Sequence, residues 1–179
     1  MGGLRLSAVL LVALLALGLL GASGSPAAPS GLARIDHVAD GDTVDLTNGD
    51  KIRLVEIDTP EVYFGVECYG PQASAETKRL LPPGTLVRLT TEPATDSVDS
   101  YGRLLRYVIR ASDGLNVNIA LVARGDAAPY FYEGRRGRYA DVLVRDALAA
   151  RAQHEGLWGA CPGTPVDFDR GVSTGYPVH

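Results

Sequence analysis

The chain has 179 residues, 46% of them hydrophobic, with 17 basic against 21 acidic side chains and a formal charge of -4. That length supports one good core and argues against two domains of ordinary size. The acidic balance excludes capture of a polyanion by a global positive field, so any nucleic-acid binding must rest on local cations, notably Arg53, Arg103, Arg106 and the "GRRGR" cluster of Arg135, Arg136 and Arg138. That cluster reads either as a solvated loop or as a phosphate-binding patch.

Residues 1–24 have the pattern of a secretory signal: Arg5, an apolar run from Leu6 to about Leu20, then small residues, with cleavage expected after Gly24. The alternative is an uncleaved membrane anchor, because the run is only slightly short of a span. Small residues follow it and no stop-transfer charge cluster does, which favours cleavage, export and no lasting membrane association. An Ala/Pro/Ser linker over 25–33 leads to a domain expected at 34–160, and 161–179 reads as a tail.

"ARIDHVADGDTVDLTNGDKIRLVEID" predicts three short strands, with "DGDT" at one bend and "NGD" as a hairpin turn. Gly70 and Pro71 open a helix, "PQASAETKRLL", that Pro82 and Pro83 stop. "GTLVRLTTEP" and "RLLRYVIRAS" predict two more strands, joined by a polar loop holding Asp96, Asp99 and Ser100. "NVNIALVARGDA" is apolar at helical spacing with Gly125 as its stop, and a longer helix runs from about Arg138 to Glu155. Its inner stripe is Tyr139, Val142, Leu143, Asp146, Ala147 and Ala150. Five strands with a helix between the third and fourth match the Greek-key barrel of the OB-fold, a mainly β member of the α+β class with three helices.

"IRLVEIDTPE" breaks strand rules by placing charge among branched aliphatics. Arg53 and Asp58 stand an odd number of positions apart, so in a straight strand they would face opposite sides; either the chain bends or bulges between them or the two serve separate purposes. Asp40 and Asp42 in "DGDT" fit turn-forming Asx chemistry as well as metal ligation. Asp58, followed by the stiff Thr59–Pro60 corner, is harder to assign to turn formation. Asp42, Asp58 and the Thr59 carbonyl together are ligands for Ca2+ or Mg2+ and offer nothing to a soft metal. His37, His154 and His179 are scattered and show no zinc spacing. Glu61 could hold a water beside such an ion, or simply start a loop. Arg53 and Arg103 are permanently charged forks suited to a phosphate whose charge grows in the transition state.

In order and spacing, "DGDT", "IRLVEIDTPE", "YGPQAS", "DSYGR" and "YFY" closely resemble the thermonuclease, or staphylococcal nuclease-like, family, from about Arg34 to Gly159. The resemblance implies an OB-fold barrel with three helices and Ca2+-dependent cleavage of DNA and RNA at the bond to the 5' oxygen, leaving 3'-phosphates. Transferred onto this sequence, it implies that Asp42, Asp58 and the Thr59 carbonyl bind Ca2+ and that Glu61 activates the attacking water. It further implies that Arg53 and Arg103 hold the scissile phosphate, that Tyr101 hydrogen-bonds a neighbouring phosphate, and that Tyr130 stacks near the base. Tyr107 and Tyr139 are expected in the core. The chain departs from the family in a shorter, lysine-free loop after Glu61, "VYFGVEC", and in Ser100 where a phosphate-binding Lys can occur.

Two other readings are a non-catalytic OB module that only binds nucleic acid or sugar, and a Ca2+-dependent structural or adhesive surface domain. The first would be expected to lose the acids and arginines that this chain keeps together, and the second leaves two phosphate-type arginines unexplained. Cys68 and Cys161 are the only cysteines; in an exported chain such a pair invites a disulfide, the alternative being two unrelated buried thiols. A monomer is expected.

Overall fold

The computed structural model describes residues 31–63 and 65–165. The signal segment 1–24, the linker up to residue 30 and the tail from residue 166 lie outside the described residues. Strands β1 (Ala33–Val38), β2 (Thr43–Leu46) and β3 (Lys51–Leu54) form an antiparallel meander. Helix α1 (Gly70–Leu80) follows a short strand, β4 (Ile57–Asp58), and leads to β5 (Leu86–Thr90) and β6 (Leu104–Arg110). The barrel closes in the order β1-β2-β3-β6-β5, with β3 and β6 parallel and β5 antiparallel to both β6 and β1. This is the mixed five-stranded barrel expected from the sequence. Helices α2 (Val117–Ala123) and α3 (Ala140–Ala152) pack beside it, and a strand β7 (Ala128–Pro129) pairs with β4 outside the barrel.

Alternation along the strands divides barrel interior from site. Val44, Leu46, Ile52 and Leu54 point inward and are buried with Ile35, Val87 and Val108, each worth roughly 1.5–3 kcal/mol of burial. Thr43 pairs with Arg53, and Arg53 with Leu105. Arg53 is therefore on the outer face, and Arg103, two positions before Leu105, projects to the same side.

The third strand ends earlier than expected. It stops at Leu54, the chain turns through Val55 and Glu56, and Asp58 lies in β4. Glu56 adopts a left-handed backbone with φ 64°, a rare conformation for a residue with a Cβ. The turn that reorients Asp58 relative to Arg53 is fixed from behind by Asn118 of α2, whose Nδ2 donates to Val55 O at 2.9 Å while its Oδ1 accepts from Val108 N at 3.0 Å. The Glu56 carboxylate accepts from the Tyr107 hydroxyl and from Gly137 N. Glu92 accepts from Tyr107 at 3.2 Å and from Arg138 N and Nε at 3.0 Å. Burial raises the Glu56 carboxyl; for Glu92, burial is outweighed by bonds from Arg138 and Ala94, which bring it down to about 2.

Tyr107 is fully buried as expected, whereas Tyr139 is half-buried and meets it edge-on at 4.8 Å. The α3 stripe is narrower than expected: Ala140, Leu143, Ala147 and Ala150 are buried, but Val142 and Asp146 are only partly so. A separate turn of helix, α4 (Leu157–Ala160), precedes Cys161. Cys161 is bridged to Cys68, 93 positions away.

Candidate active site

The "DGDT" bend between β1 and β2 is built by Asp40, whose Oδ1 accepts from Asp42 N at 3.1 Å and Thr43 N at 2.7 Å. That is the Asx turn allowed by the sequence. Gly41 presses against the Thr59 side chain so closely that a Cβ there would lie 2.3 Å from Thr59 Oγ1. Its carbonyl accepts from Thr77 Oγ1 of α1 at 2.6 Å. The bend is thus clamped between the Thr59 corner and α1, and Asp42 is carried inward.

Asp42 Oδ2 accepts from Thr59 N at 2.9 Å and Thr59 Oγ1 at 3.0 Å, and lies 3.0 Å from Arg53 Nη1. Among the described residues its Oδ1 accepts only a 3.3 Å bond from Thr43 Oγ1, so that oxygen carries most of the remaining acceptor capacity. Arg53 also donates to Asp58 Oδ1 at 2.8 Å and to the Ile57 and Leu54 carbonyls at 2.9 and 3.0 Å. Burial pushes the Asp42 carboxyl up to about 7 against the pull of Arg53, with Asp58 and Asp40 adding repulsion. Arg53 is held more firmly charged than usual, since Asp42, Asp58, Asp40 and Glu61 together outweigh its burial.

Arg103 is positioned by Asp99, whose role the sequence left as that of a loop residue. Asp99 Oδ2 accepts from Arg103 Nε at 2.7 Å, while its Oδ1 caps Tyr101 N and Arg103 N, both at 2.9 Å. The signal was present in "DSYGR", where an Asp precedes a Gly turn and an Arg. Arg103 Nη1 also donates to Thr43 Oγ1 at 3.1 Å, and Thr43 in turn donates to Asp42. Both arginines therefore connect to one acid turn, Arg53 directly and Arg103 through a hydroxyl.

Glu61 lies past the Pro60 corner, with its amide held by Glu67 Oε2 at 2.9 Å and its carbonyl accepting from Glu67 N at 2.9 Å. Burial, followed by repulsion from Asp40, Asp58 and Glu67, raises its carboxyl above the ordinary range. Arg53, Arg103, Asp58, Tyr101 and Tyr130 line one cleft of about 500 Å³. Tyr101 is 84% exposed beneath Arg103, whose Cζ is 5.4 Å from the ring centre, and Tyr130 is half-buried. Among the remaining cations noted from the sequence, Arg106 donates to the Ser97 and Leu105 carbonyls, both at 2.8 Å, and is absent from the cleft lining.

Among the described residues no three carboxylate, imidazole or thiol side chains converge as a metal cluster. The donor set nevertheless fits a hard cation. Asp40, Asp42, Asp58 and Glu61 all act on one guanidinium, an excess of negative charge that an oxygen-seeking ion would offset, and two carboxylates with a carbonyl suffice when water completes the shell.

The staphylococcal nuclease homologue family profile matches residues 51–160. The chain belongs to that family. It is 38% identical over 137 residues to "Endonuclease YhcR" of Bacillus subtilis (strain 168), covering 69% of this chain and 11% of that protein. It is 36% identical over 131 residues to "SPbeta prophage-derived endonuclease YokF" of the same organism, covering 69% and 43%. To "Thermonuclease" of Staphylococcus intermedius it is 35% identical over 130 residues, covering 69% and 74%. The first two relatives are thus matched over less than half of their own length. The matched span holds Arg53, Asp58, Thr59, Glu61 and Arg103; Asp42 precedes it.

Proposed function

We propose that the chain is a secreted nuclease that hydrolyses phosphodiester bonds of DNA and RNA with Ca2+ and leaves 3'-phosphates. The observation carrying this reading is the joint placement of Arg53 and Arg103 in one cleft, each tied to the Asp42 turn, with Glu61, outside the cleft lining, interacting electrostatically with Arg53 and raised in proton affinity. Asp42, Asp58 and the Thr59 carbonyl would hold Ca2+, which when bound supplies Lewis-acid charge to a phosphoryl oxygen.

The chain's own groups do the rest. Arg53 and Arg103 bind the scissile phosphate and stabilise the charge that accumulates on it. Glu61, whose carboxyl pKa is raised and which is therefore a better base than a glutamate of ordinary pKa, takes a proton from the attacking water. The water oxygen forms a bond to phosphorus, the bond from phosphorus to the 5' oxygen breaks, and the departing alkoxide takes up a proton. Tyr101 and Tyr130 offer a hydroxyl and a ring along the same cleft for a neighbouring phosphate and a base.

Export rests on the N-terminal pattern, with 1–24 as signal, 25–33 as linker, 34–160 as the nuclease domain and 161–179 as tail. The Cys68–Cys161 bridge suits an oxidising compartment. Among the described residues no helix is long and apolar enough to cross a membrane. The mature domain is expected to degrade heat-denatured DNA with Ca2+ and to stop in excess EGTA, and sequencing of the secreted protein's N-terminus should begin near residue 25. Retention of residues 1–24 on membranes would replace the secreted form with an anchored one.

A further inference from the structure

The cleft contains a third arginine that the catalytic reading leaves unused. Of the "GRRGR" segment, Arg138 is committed to Glu92 and the Thr91 carbonyl. Arg136 pairs with Asp141 and lies over the Phe131 ring at 4.7 Å. Arg135 is the one of the three that lines the cleft with Arg53, Arg103, Tyr101 and Tyr130. Its guanidinium joins two walls, reaching from the segment after β7 to the loop between β5 and β6. Nη1 meets Asp96 Oδ1 at 3.1 Å, Nη2 meets Asp96 Oδ2 at 3.0 Å, and Nη2 also meets Glu133 Oε2 at 2.9 Å. Its Cζ lies 5.6 Å from the ring centre of Tyr132, which is 57% exposed. Its Nε is buried without a hydrogen-bond partner among the described residues, so these two acids do not satisfy the whole fork.

The three cleft arginines form a graded series. Side-chain exposure is 12% for Arg53, 25% for Arg103 and 34% for Arg135, and each is paired with one or two acids. The two acids on Arg135, Asp96 and Glu133, are 60% and 64% exposed, and an ion pair that wet contributes little and separates readily. A phosphate presents the same bidentate acceptor geometry that Asp96 offers. Cations are otherwise scarce here: the loop after Glu61 has no lysine, and Ser100 precedes Tyr101.

We propose that Arg135 is a substrate-binding residue, and that its pair with Asp96 is a placeholder displaced by a backbone phosphate of single-stranded nucleic acid next to the scissile one. The inference rests on the nuclease reading and adds to it a rim contact that sets affinity rather than rate. Asp96 then acts against binding, since it competes for Arg135 and repels the strand.

The test is fluorescence anisotropy of a labelled single-stranded oligothymidylate, without added metal, across a salt series. Arg135→Ala should raise Kd about 2- to 5-fold at low salt and flatten the slope of log K against log salt by about 0.7, one single-strand phosphate contact. Asp96→Asn should shift Kd the other way, to tighter binding. A purely structural latch predicts effects of the same sign, because both variants break one ion pair; that result, or an unchanged Kd and slope for Arg135→Ala, overturns the proposal. Arg135→Gln repeats the measurement with bulk retained if the alanine variant folds poorly. Cleavage by the unaltered protein with Ca2+ is scored separately. Binding without cleavage contradicts the nuclease reading and leaves Arg135 decided by the anisotropy, whereas no binding by the unaltered protein overturns the Arg135 proposal and leaves the nuclease reading decided by cleavage.

Discussion

Arg53 and Arg103 are alike as residue types, and their surroundings predict different consequences of removal. Arg53 offsets two carboxylates and is only 12% exposed, whereas Arg103 is 25% exposed and its partner Asp99 also accepts two backbone amides. Either change to Ala should lower kcat about 100- to 1,000-fold, the scale for losing a preorganised donor. Arg53→Ala should also lower the thermal midpoint, because it leaves Asp42 and Asp58 without their common cation; Arg103→Ala should leave the midpoint nearly unchanged. Kinetics normalised to the folded fraction check this, and normal specific activity with a lowered midpoint would make both residues structural. Arg53 and Asp58 stood out in the sequence because they place charge among Ile, Leu and Val, and Asp is depleted in strands. Asp99, which aims Arg103, was legible in "DSYGR" only as a turn former, and Thr43 was not legible at all, since a Thr in a strand has an ordinary local explanation.

At the scale of elements, the turn at Val55 and Glu56 and the segment between Glu61 and Cys68 decide where the chemistry sits. The five barrel strands were readable from apolar runs bounded by turn signals, but the break after Leu54 and the β4–β7 pair were not. The break depends on Asn118 and Tyr107, which are remote in sequence and hold Val55 and Glu56 from behind. The Cys68–Cys161 bridge ties the segment carrying Glu61 and Glu67 to the turn after α4. Closing a loop of 93 positions stabilises by up to about 4.6 kcal/mol in the chain-entropy model. Mass spectrometry after alkylation without reduction should return a linked Cys68–Cys161 peptide, and reduction should lower the midpoint; two alkylated cysteines would rule the bridge out.

A second tie joins the entrance of α1 to the exit of α2, where Tyr69 donates to Asp126 Oδ1 at 3.2 Å. Burial, then repulsion from Glu76, pushes the Asp126 carboxyl up to about 6 from 3.8. The folded state then holds more protons than the unfolded between about pH 4 and 6, so stability falls as pH rises through that window. Asp126→Asn keeps an acceptor and removes the charge. It should stabilise at pH 7.5, by at most about 3 kcal/mol, and hardly at all at pH 4. Thermal melts at the two pH values check this, and equal effects at both would contradict it.

For the whole molecule, a formal charge of -4 is combined with a cleft lined by Arg53, Arg103 and Arg135. Substrate affinity should therefore depend strongly on salt, since local cations work against the global field. A Ca2+ site of two carboxylates and one carbonyl should bind on the order of 0.1 to 1 mM, as extracellular modules do. About 10 mM Ca2+ should then stabilise the domain by about 1.4 to 2.7 kcal/mol, measurable as a raised midpoint that Asp42→Asn or Asp58→Asn abolishes. The central claim is tested most directly by incubating the purified mature domain with heat-denatured DNA, with Ca2+ and with excess EGTA, and analysing the product ends. Fragments bearing 3'-phosphates that appear only with Ca2+ are the predicted result; undiminished cleavage in EGTA, or intact DNA under both conditions, would contradict it.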